Sequence, residues 1–368
     1  MLNIDWHQLT LSELVIMVFV VLELIAVMVA LVAMLWVRSS TMRRQSLYAA
    51  VKNRLIDLIS RMQPENERES LQNCLAALTT LSRDQQRRLL TELAEYAGGG
   101  GDQSDPVFAQ LFTAAGLVPE ARANAAARPW ERLRVIREAR ALGDPAGLLD
   151  KMVRDGVPDV RLGAFEALCN LGRADEALVA LPVVATDGRL NRMRTIDSLS
   201  NARPFPTDEV IALAGSQVPE VRQVCVASLG QARQRQGLDT IVTAVTDSET
   251  EVRIDALRAL AELREPSTAQ VLIAALEDER WQVRSEAAKA AGVLASPATV
   301  QALARVLDDE AEWVRHNAAL ALMKCGQPGM AALRSAAANG NTWAQSSLAE
   351  ARLMPVDQGP LGGAASTL

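Results

Sequence analysis

The dipeptide Val-Arg stands at 221–222, 252–253, 283–284 and 314–315, three successive steps of 31 residues. The same pair occurs at Val160–Arg161, and a weaker copy centred on Arg192 fills the interval between. A fixed period of this length marks a solenoid, in which each unit buries its apolar face only against its neighbours. The C-terminal two-thirds is therefore expected to be a stack of helix pairs and not a domain closed around a catalytic pocket. Composition selects helix over strand for the repeating unit. Aromatic residues are 4% of the chain while apolar residues are 49%, so Ala, Leu and Val carry the packing, and Ala and Leu are the strongest helix formers.

Counting from each repeat arginine exposes columns. Three residues on stand Ala164, Thr195, Cys225, Ala256, Ala287 and Ala318; six on stand Ala167, Ser198, Ser228, Ala259, Ala290 and Ala321. Seven on stand Leu168, Leu199, Leu229, Leu260, Ala291 and Leu322. Two small columns and a leucine column form one helical stripe, which permits close stacking of layers. Residues 130–143 fit the frame with Arg132 in the arginine place, and an eroded unit begins near Trp343. Columns two and five are expected to face outward. They hold the opposite-charge pairs Arg194/Asp197, Asp255/Arg258 and Glu286/Lys289, the usual way to solubilise a helix face. Two layers depart from this: Val224/Ala227 and Asn317/Leu320 offer apolar or neutral surface and are candidate partner contacts. Trp130, Trp281, Trp313 and Trp343 all precede the second helix of their unit. They read either as caps on the core or as a partner-binding ridge, since tryptophan is enriched in binding hot spots.

A first helix, an acidic turn (Asp247, Asp278, Asp308-Asp309), Val-Arg and a small-residue helix recur in 240–263, 271–294 and 300–326. These segments resemble HEAT-like repeats of the phycobilisome-lyase type, and the resemblance covers residues 128–350. It implies an all-α fold, a HEAT-type α-solenoid with the second helices lining its concave side. It also implies that Arg161, Arg222, Arg253, Arg284 and Arg315 form a structural ladder with the turn aspartates, tying layer to layer. Activity does not follow from the resemblance, because such repeats serve many functions.

Ahead of the array, Leu11 to Val37 is an apolar run interrupted only by Ser12, Glu13 and Glu23. A helix of that length spans about 40 Å against about 30 Å of hydrocarbon, so it is expected to cross a membrane with tilt. A cleavable signal peptide would have a basic leader and a shorter apolar core; here Asp5 precedes the run and no Lys or Arg does. Arg38, Arg43, Arg44, Lys52 and Arg54 follow it. The positive-inside rule then places the N-terminus outside and the solenoid in the cytoplasm, at the inner membrane. Glu23 falls near the middle of the run, and Ala26, Ala30 and Ala33 share its face. Small residues allow close helix approach and a polar group can bond across helices in lipid, so these four form a candidate docking face for another transmembrane helix or a second copy.

The expected organisation is a short extracytoplasmic segment 1–10, a transmembrane helix 11–37, juxtamembrane helices 38–97, a Gly-rich joint 98–105, the solenoid 106–350 and a disordered tail 351–368. Within 38–97 three apolar stripes stand out: Leu47, Val51, Leu55, Leu58 and Met62; Leu71, Cys74, Leu75 and Leu78; Leu89, Leu90, Leu93 and Tyr96. Four consecutive glycines at 98–101 populate too many conformations to continue a helix.

Chemistry is harder to find. A formal net charge of -6 opposes a nucleic-acid groove, which needs a basic stripe. Cys74, Cys169, Cys225 and Cys325 lie far apart and read as buried structural thiols, while His7 and His316 are too few for a His-rich metal site. No catalytic, cofactor or metal residue is assigned, and no cofactor is expected. Partners are expected to be proteins, including a membrane protein, together with the bilayer. The function that follows is a membrane-anchored interaction scaffold, with an accessory subunit of a membrane enzyme such as a glycosyltransferase as one form of it. A homo-oligomeric scaffold and a bilin-lyase-like enzyme stand as alternatives.

Overall fold

The computed structural model describes residues 11–63, 66–97, 106–117, 128–144 and 147–353, all helices and connections, with no strand among them. The expected N-terminal segment and the Gly-rich joint lie outside the described residues, as does the expected tail 351–368 except for residues 351–353, which are helical. Contacts divide the chain into two units, residues 1–99 with 105–118, and residues 119–368 with 100–104.

The first unit holds α1 (Leu11–Ser60), α2 (Glu67–Leu78), α3 (Arg83–Ala97) and α4 (Pro106–Ala114). The expected span 11–37 and the first juxtamembrane stripe lie on one continuous helix: α1 is 50 residues long. Ser39, Ser40 and Thr41 contain no Gly or Pro, and the Thr41 hydroxyl donates to the Val37 carbonyl (2.6 Å), so no backbone bond has to be surrendered there. Leu22–Ser39 has a mean hydropathy of 2.0 with none of its window buried, making α1 long and apolar enough to cross a membrane. Further along, Val51 and Leu55 are buried among α2 and α3. There the Tyr48 hydroxyl donates to Glu92 (3.0 Å), and Lys52 pairs with the same carboxylate. Burial, reinforced by Glu92, pushes the Tyr48 phenol up to about 12. Residues 106–117 belong here and not to the array. Phe108, Leu111, Phe112 and Leu117 are buried, and Arg83 donates to the Gly116 carbonyl (3.4 Å).

The second unit is the α-solenoid. After α5 (Pro129–Ala141), α6 (Leu149–Met152) leads into α7 (Pro158–Asn170). The next layer pairs α8 (Ala174–Ala177) and α9 (Leu181–Val184) with α10 (Arg189–Ser200), followed by α11 (Thr207–Leu213) with α12 (Pro219–Gln231). Then come α13 (Leu238–Ala244) with α14 (Thr250–Leu263) and α15 (Ala269–Ala275) with α16 (Trp281–Leu294). The last two layers are α17 (Val300–Arg305) with α18 (Glu312–Lys324) and α19 (Gly326–Ala338) with α20 (Thr342–Leu353). Each longer second helix packs on the second helix of the neighbouring layer. The three-residue column of the sequence is fully buried from Ala164 to Ala318, as is the leucine column.

The small column at six has a geometric cause. A Cβ placed on Gly230 would lie 2.4 Å from Ala259 Cβ, and one on Gly292 would lie 2.9 Å from Ala321 Cβ. The residue eight after one arginine thus meets the residue six after the next, and the seam closes only where both are small. Helix ends are also periodic. Arg233, Arg264, Ala295 and Gly326 have φ of 53°, 54°, 51° and 66°, a left-handed residue every 31 positions. In that conformation the Arg264 and Ala295 amides bond to the Leu260 and Ala291 carbonyls and close α14 and α16. Only one of the four is glycine.

Candidate functional site

Four second helices start from a turn whose aspartate accepts the amide two residues on. Asp155 takes Val157 (2.9 Å), Asp247 takes Glu249 (2.9 Å), Asp278 takes Arg280 (2.8 Å) and Asp309 takes Ala311 (2.8 Å). This satisfies an orphan N–H at the helix entry. The same carboxylates receive the arginine of the preceding layer. Arg222 donates from Nε and Nη2 to Asp247 (2.7 and 2.7 Å), Arg253 pairs with Asp278 (3.0 and 3.1 Å) and Arg284 with Asp309 (2.7 and 2.9 Å). Arg132 pairs with Asp155 and Arg161 with Asp187 in the same two-pronged way. The third nitrogen, Nη1, turns back to its own layer: Arg161, Arg222, Arg253, Arg284 and Arg315 donate it to the carbonyls of Asp155, Ser216, Asp247, Asp278 and Asp309. One guanidinium therefore fixes two turns at once, a use that needs the planar fork of arginine. Although burial opposes it, the Arg222 and Arg284 guanidinia and the backbone amides hold Asp247 and Asp309 below the usual carboxylate range.

Two layers break the series. Beyond Arg315 the turn carries Asn341, whose amide donates to Leu307 O (3.1 Å) and Asp308 (2.8 Å). Arg315 instead lies over the Trp343 ring, 5.5 Å from its centroid. His316 touches both Trp313 and Trp343 edge-on (6.1 and 6.0 Å), so these residues form one aromatic cluster. Beyond Arg192 the turn carries Ser216, whose hydroxyl takes the Val218 amide (3.2 Å) but is no counter-ion. Arg192 keeps its Nη1 bond to its own turn, at Ala185 O (3.1 Å).

The surface expected from columns two and five is placed differently by the structure. Column five faces out in part: Arg258 and Lys289 are exposed, and Ala227 and Leu320 are half-buried. Column two does so only at Arg194. Val224 is 0% exposed and Asn317 8%, so neither offers a free face. From Val224 to Asn317 column two lies toward the seam between layers, and the column is bonded across that seam. Arg194 donates to Glu166 (2.9 Å), Gln223 to Asp255 (2.7 Å) and Asn317 to Ser285 (2.7 Å), and Arg258 reaches Glu286 (3.4 Å). The three-apart pairs Asp255/Arg258 and Glu286/Lys289 also form (2.9 and 3.3 Å), while Arg194 is drawn to Glu166 and not to Asp197. Among the tryptophans, Trp130, Trp281 and Trp313 are exposed and Trp343 is half-buried under Arg315. Glu23, Ala26, Ala30 and Ala33 are all exposed along α1.

Two clefts open on the second-helix face, of 410 Å³ beside α10, α12 and α14 and of 350 Å³ beside α14, α16 and α18. Their walls mix charges of both signs. All four cysteines are buried, and burial pushes the Cys169 and Cys225 thiols up to about 12, which leaves them protonated and poorly nucleophilic at neutral pH. Among the described residues no group of three or more His, Cys, Asp or Glu is placed to hold a metal ion.

A family model described as HEAT repeats matches residues 207–281 and 269–351. No curated protein matches the chain. Among solved structures the chain is similar to an engineered protein at 17% identity, over 82% of this chain and 98% of that one, with a TM-score of 0.36. It is similar to Kap121p at 11% identity, over 81% of this chain and 40% of that one, with a TM-score of 0.48. A human deoxyhypusine hydroxylase in complex with glycerol matches at 19% identity, over 65% and 95% of the two chains, with a TM-score of 0.29. Residues 207–351 are HEAT repeats.

Proposed function

We propose that these HEAT repeats, with the layers before them, are the cytoplasmic partner-binding part of a single-pass membrane protein that recruits or braces another protein at the inner membrane. The observation that carries this reading is the exposed apolar run Leu22–Ser39. Water would penalise that much aliphatic surface by about 25 cal/mol per Å², whereas hydrocarbon would not. Arg38, Arg43, Arg44, Lys52 and Arg54 follow the run and favour the orientation with the repeats in the cytoplasm. On α1, Glu23 with Ala26, Ala30 and Ala33 supplies a face on which a second transmembrane helix packs closely. The client is a membrane protein, and a membrane enzyme that needs an accessory subunit, such as a glycosyltransferase, fits that description. A bilin-lyase-like activity is disfavoured by the burial and raised pKa of the thiols.

A mild-detergent pull-down of tagged wild type beside Glu23→Leu, followed by mass spectrometry, tests the reading. A membrane protein retained by wild type and lost by Glu23→Leu supports the docking face. The same protein retained by both assigns recognition to the repeats. Wild type that returns only itself replaces the client-binding scaffold with a homo-oligomeric one.

A further inference from the structure

The ladder shows what each repeat arginine is built to hold. Its Nη1 is anchored to a carbonyl of its own layer, and its Nε–Nη2 edge is presented to a carboxylate on the next turn. Arg192 has the anchor and lacks the acid. Ser216 stands one 31-residue step before Asp247, where the other layers place their aspartate. At Arg315 the missing acid is answered by the Trp343 ring. At Arg192 neither replacement exists: among the described residues its Nε and Nη2 bond to nothing. The side chain of Arg189, one turn earlier on α10, has no hydrogen bond or ion pair among the described residues either.

Both arginines line the 410 Å³ cleft on the second-helix face, and Met193, next after Arg192 on α10, lines it too. Met193 is 55% exposed and Leu190 70%, large apolar side chains beside two uncompensated cations. On the opposite wall Asp255 is paired with Arg258 and accepts a hydrogen bond from Gln223, so it does not compete for the two arginines. Asp197 and Glu251 also line the cleft, and they exclude a ligand of uniformly negative charge. A segment with an isolated carboxylate and aliphatic neighbours satisfies both walls.

We propose that Arg192, assisted by Arg189, receives a carboxylate from an acidic, aliphatic-flanked peptide segment of the partner, filling the place that an aspartate occupies in neighbouring layers. The proposal rests on the reading of the repeats as a partner-binding surface. It deepens that reading by naming the chemistry recognised. An arginine whose geometry is already set by its own layer loses little freedom on binding, and a two-pronged contact to a carboxylate adds geometric selectivity.

The test uses the full chain in detergent and the fluorescein-labelled, C-terminally amidated heptapeptide Gly-Leu-Val-Asp-Leu-Ile-Gly, with its Asn counterpart as control, followed by fluorescence anisotropy. The acidic peptide is expected to bind at least tenfold more tightly than the amide peptide. Arg192→Gln should remove that preference, while Lys289→Gln, in the neighbouring cleft, should leave affinity within twofold. Ser216→Asp is the sharper variant. By supplying the missing acid internally it should raise the melting temperature and weaken the acidic peptide at least tenfold. Equal affinity for the two peptides, or wild-type affinity in Arg192→Gln, overturns the proposal. So does a Ser216→Asp chain that is stabilised yet binds as before. A client retained in the pull-down by wild type and Arg192→Gln alike leaves the scaffold reading standing and removes only the Arg192 receptor.

Discussion

Helices α16 and α1 both set small residues along one face, and their surroundings are opposite. In α16, Ala287, Ala290 and Ala291 are at most 2% exposed, because α14 and α18 close over them. In α1, Ala26, Ala30 and Ala33 lie open, and so do the leucines and valines around them. The residue types are nearly the same; what differs is whether the chain repeats them. A stripe that returns every 31 residues brings its own cover, since each copy is the lid of the one before. A stripe that occurs once has to be covered from outside, by lipid or by another polypeptide.

A charge introduced into each stripe should separate the two cases most strongly. Ala287→Arg buries a cation with no partner and is expected to cost on the order of 4 kcal/mol or more, unfolding the array as read by circular dichroism. Ala30→Arg should leave that signal and its melting intact, while weakening membrane retention by about 2.5–3.5 kcal/mol, read by carbonate extraction. Next in size is the ladder. Asp309→Ala leaves the Arg284 guanidinium without its acid in a largely buried site and should cost about 3 kcal/mol in denaturant melts. Gly230→Ala, which drives a methyl into Ala259, should cost about 1–3 kcal/mol, and no comparable penalty is expected from a Gly→Ala change at Gly215, which meets only Ala212 O at 3.5 Å.

Acid should report the ladder as well. Asp247 and Asp309 are held below the usual carboxylate range, so the stability they contribute is fully present above the unfolded value of about 3.9 and is lost as pH falls through the folded value. Melting temperature is therefore expected to stay level from pH 7 to about 5 and to drop below about 4; Asp309→Asn should flatten part of that drop. The smallest expected effect is a gain. Ala295 sits at φ 51°, and Ala295→Gly should stabilise by about 0.5–1 kcal/mol, detectable as a small rise in melting temperature.

The parts of this fold that were legible in the sequence are those that recur. Val-Arg, the leucine column and the turn aspartates each mark the same place in several layers, and the structure joins them in the ladder. The burial of column two at Val224, Asp255 and Asn317 is not legible, because helical spacing describes one helix at a time. It shows Asp255 three residues from Arg258, but not Gln223 of the next layer reaching across to the same carboxylate. The continuity of α1 is not legible in the sequence, because the change from apolar to charged residues at Arg38 marks where the environment of the helix changes and not where its backbone bonds stop. The left-handed residues at 233, 264 and 295 gave no signal, being Arg, Arg and Ala. Ser216 did give one: subtracting the period from Asp247 lands on it, so the vacancy beside Arg192 was visible as a missing letter.

The glycines at 230 and 292 are two periods apart, and the equivalent positions between and after them are Ala261 and Met323. Tight seams thus alternate with roomier ones, α12 against α14 and α16 against α18 being drawn together by a missing carbon. A single methyl at either place would act as a shim in a stacked column, tilting everything beyond it. Through this stretch the surface that recurs is then a pair of layers and not one layer, and a ligand matched to one pair would find its next equivalent footing two periods along the chain.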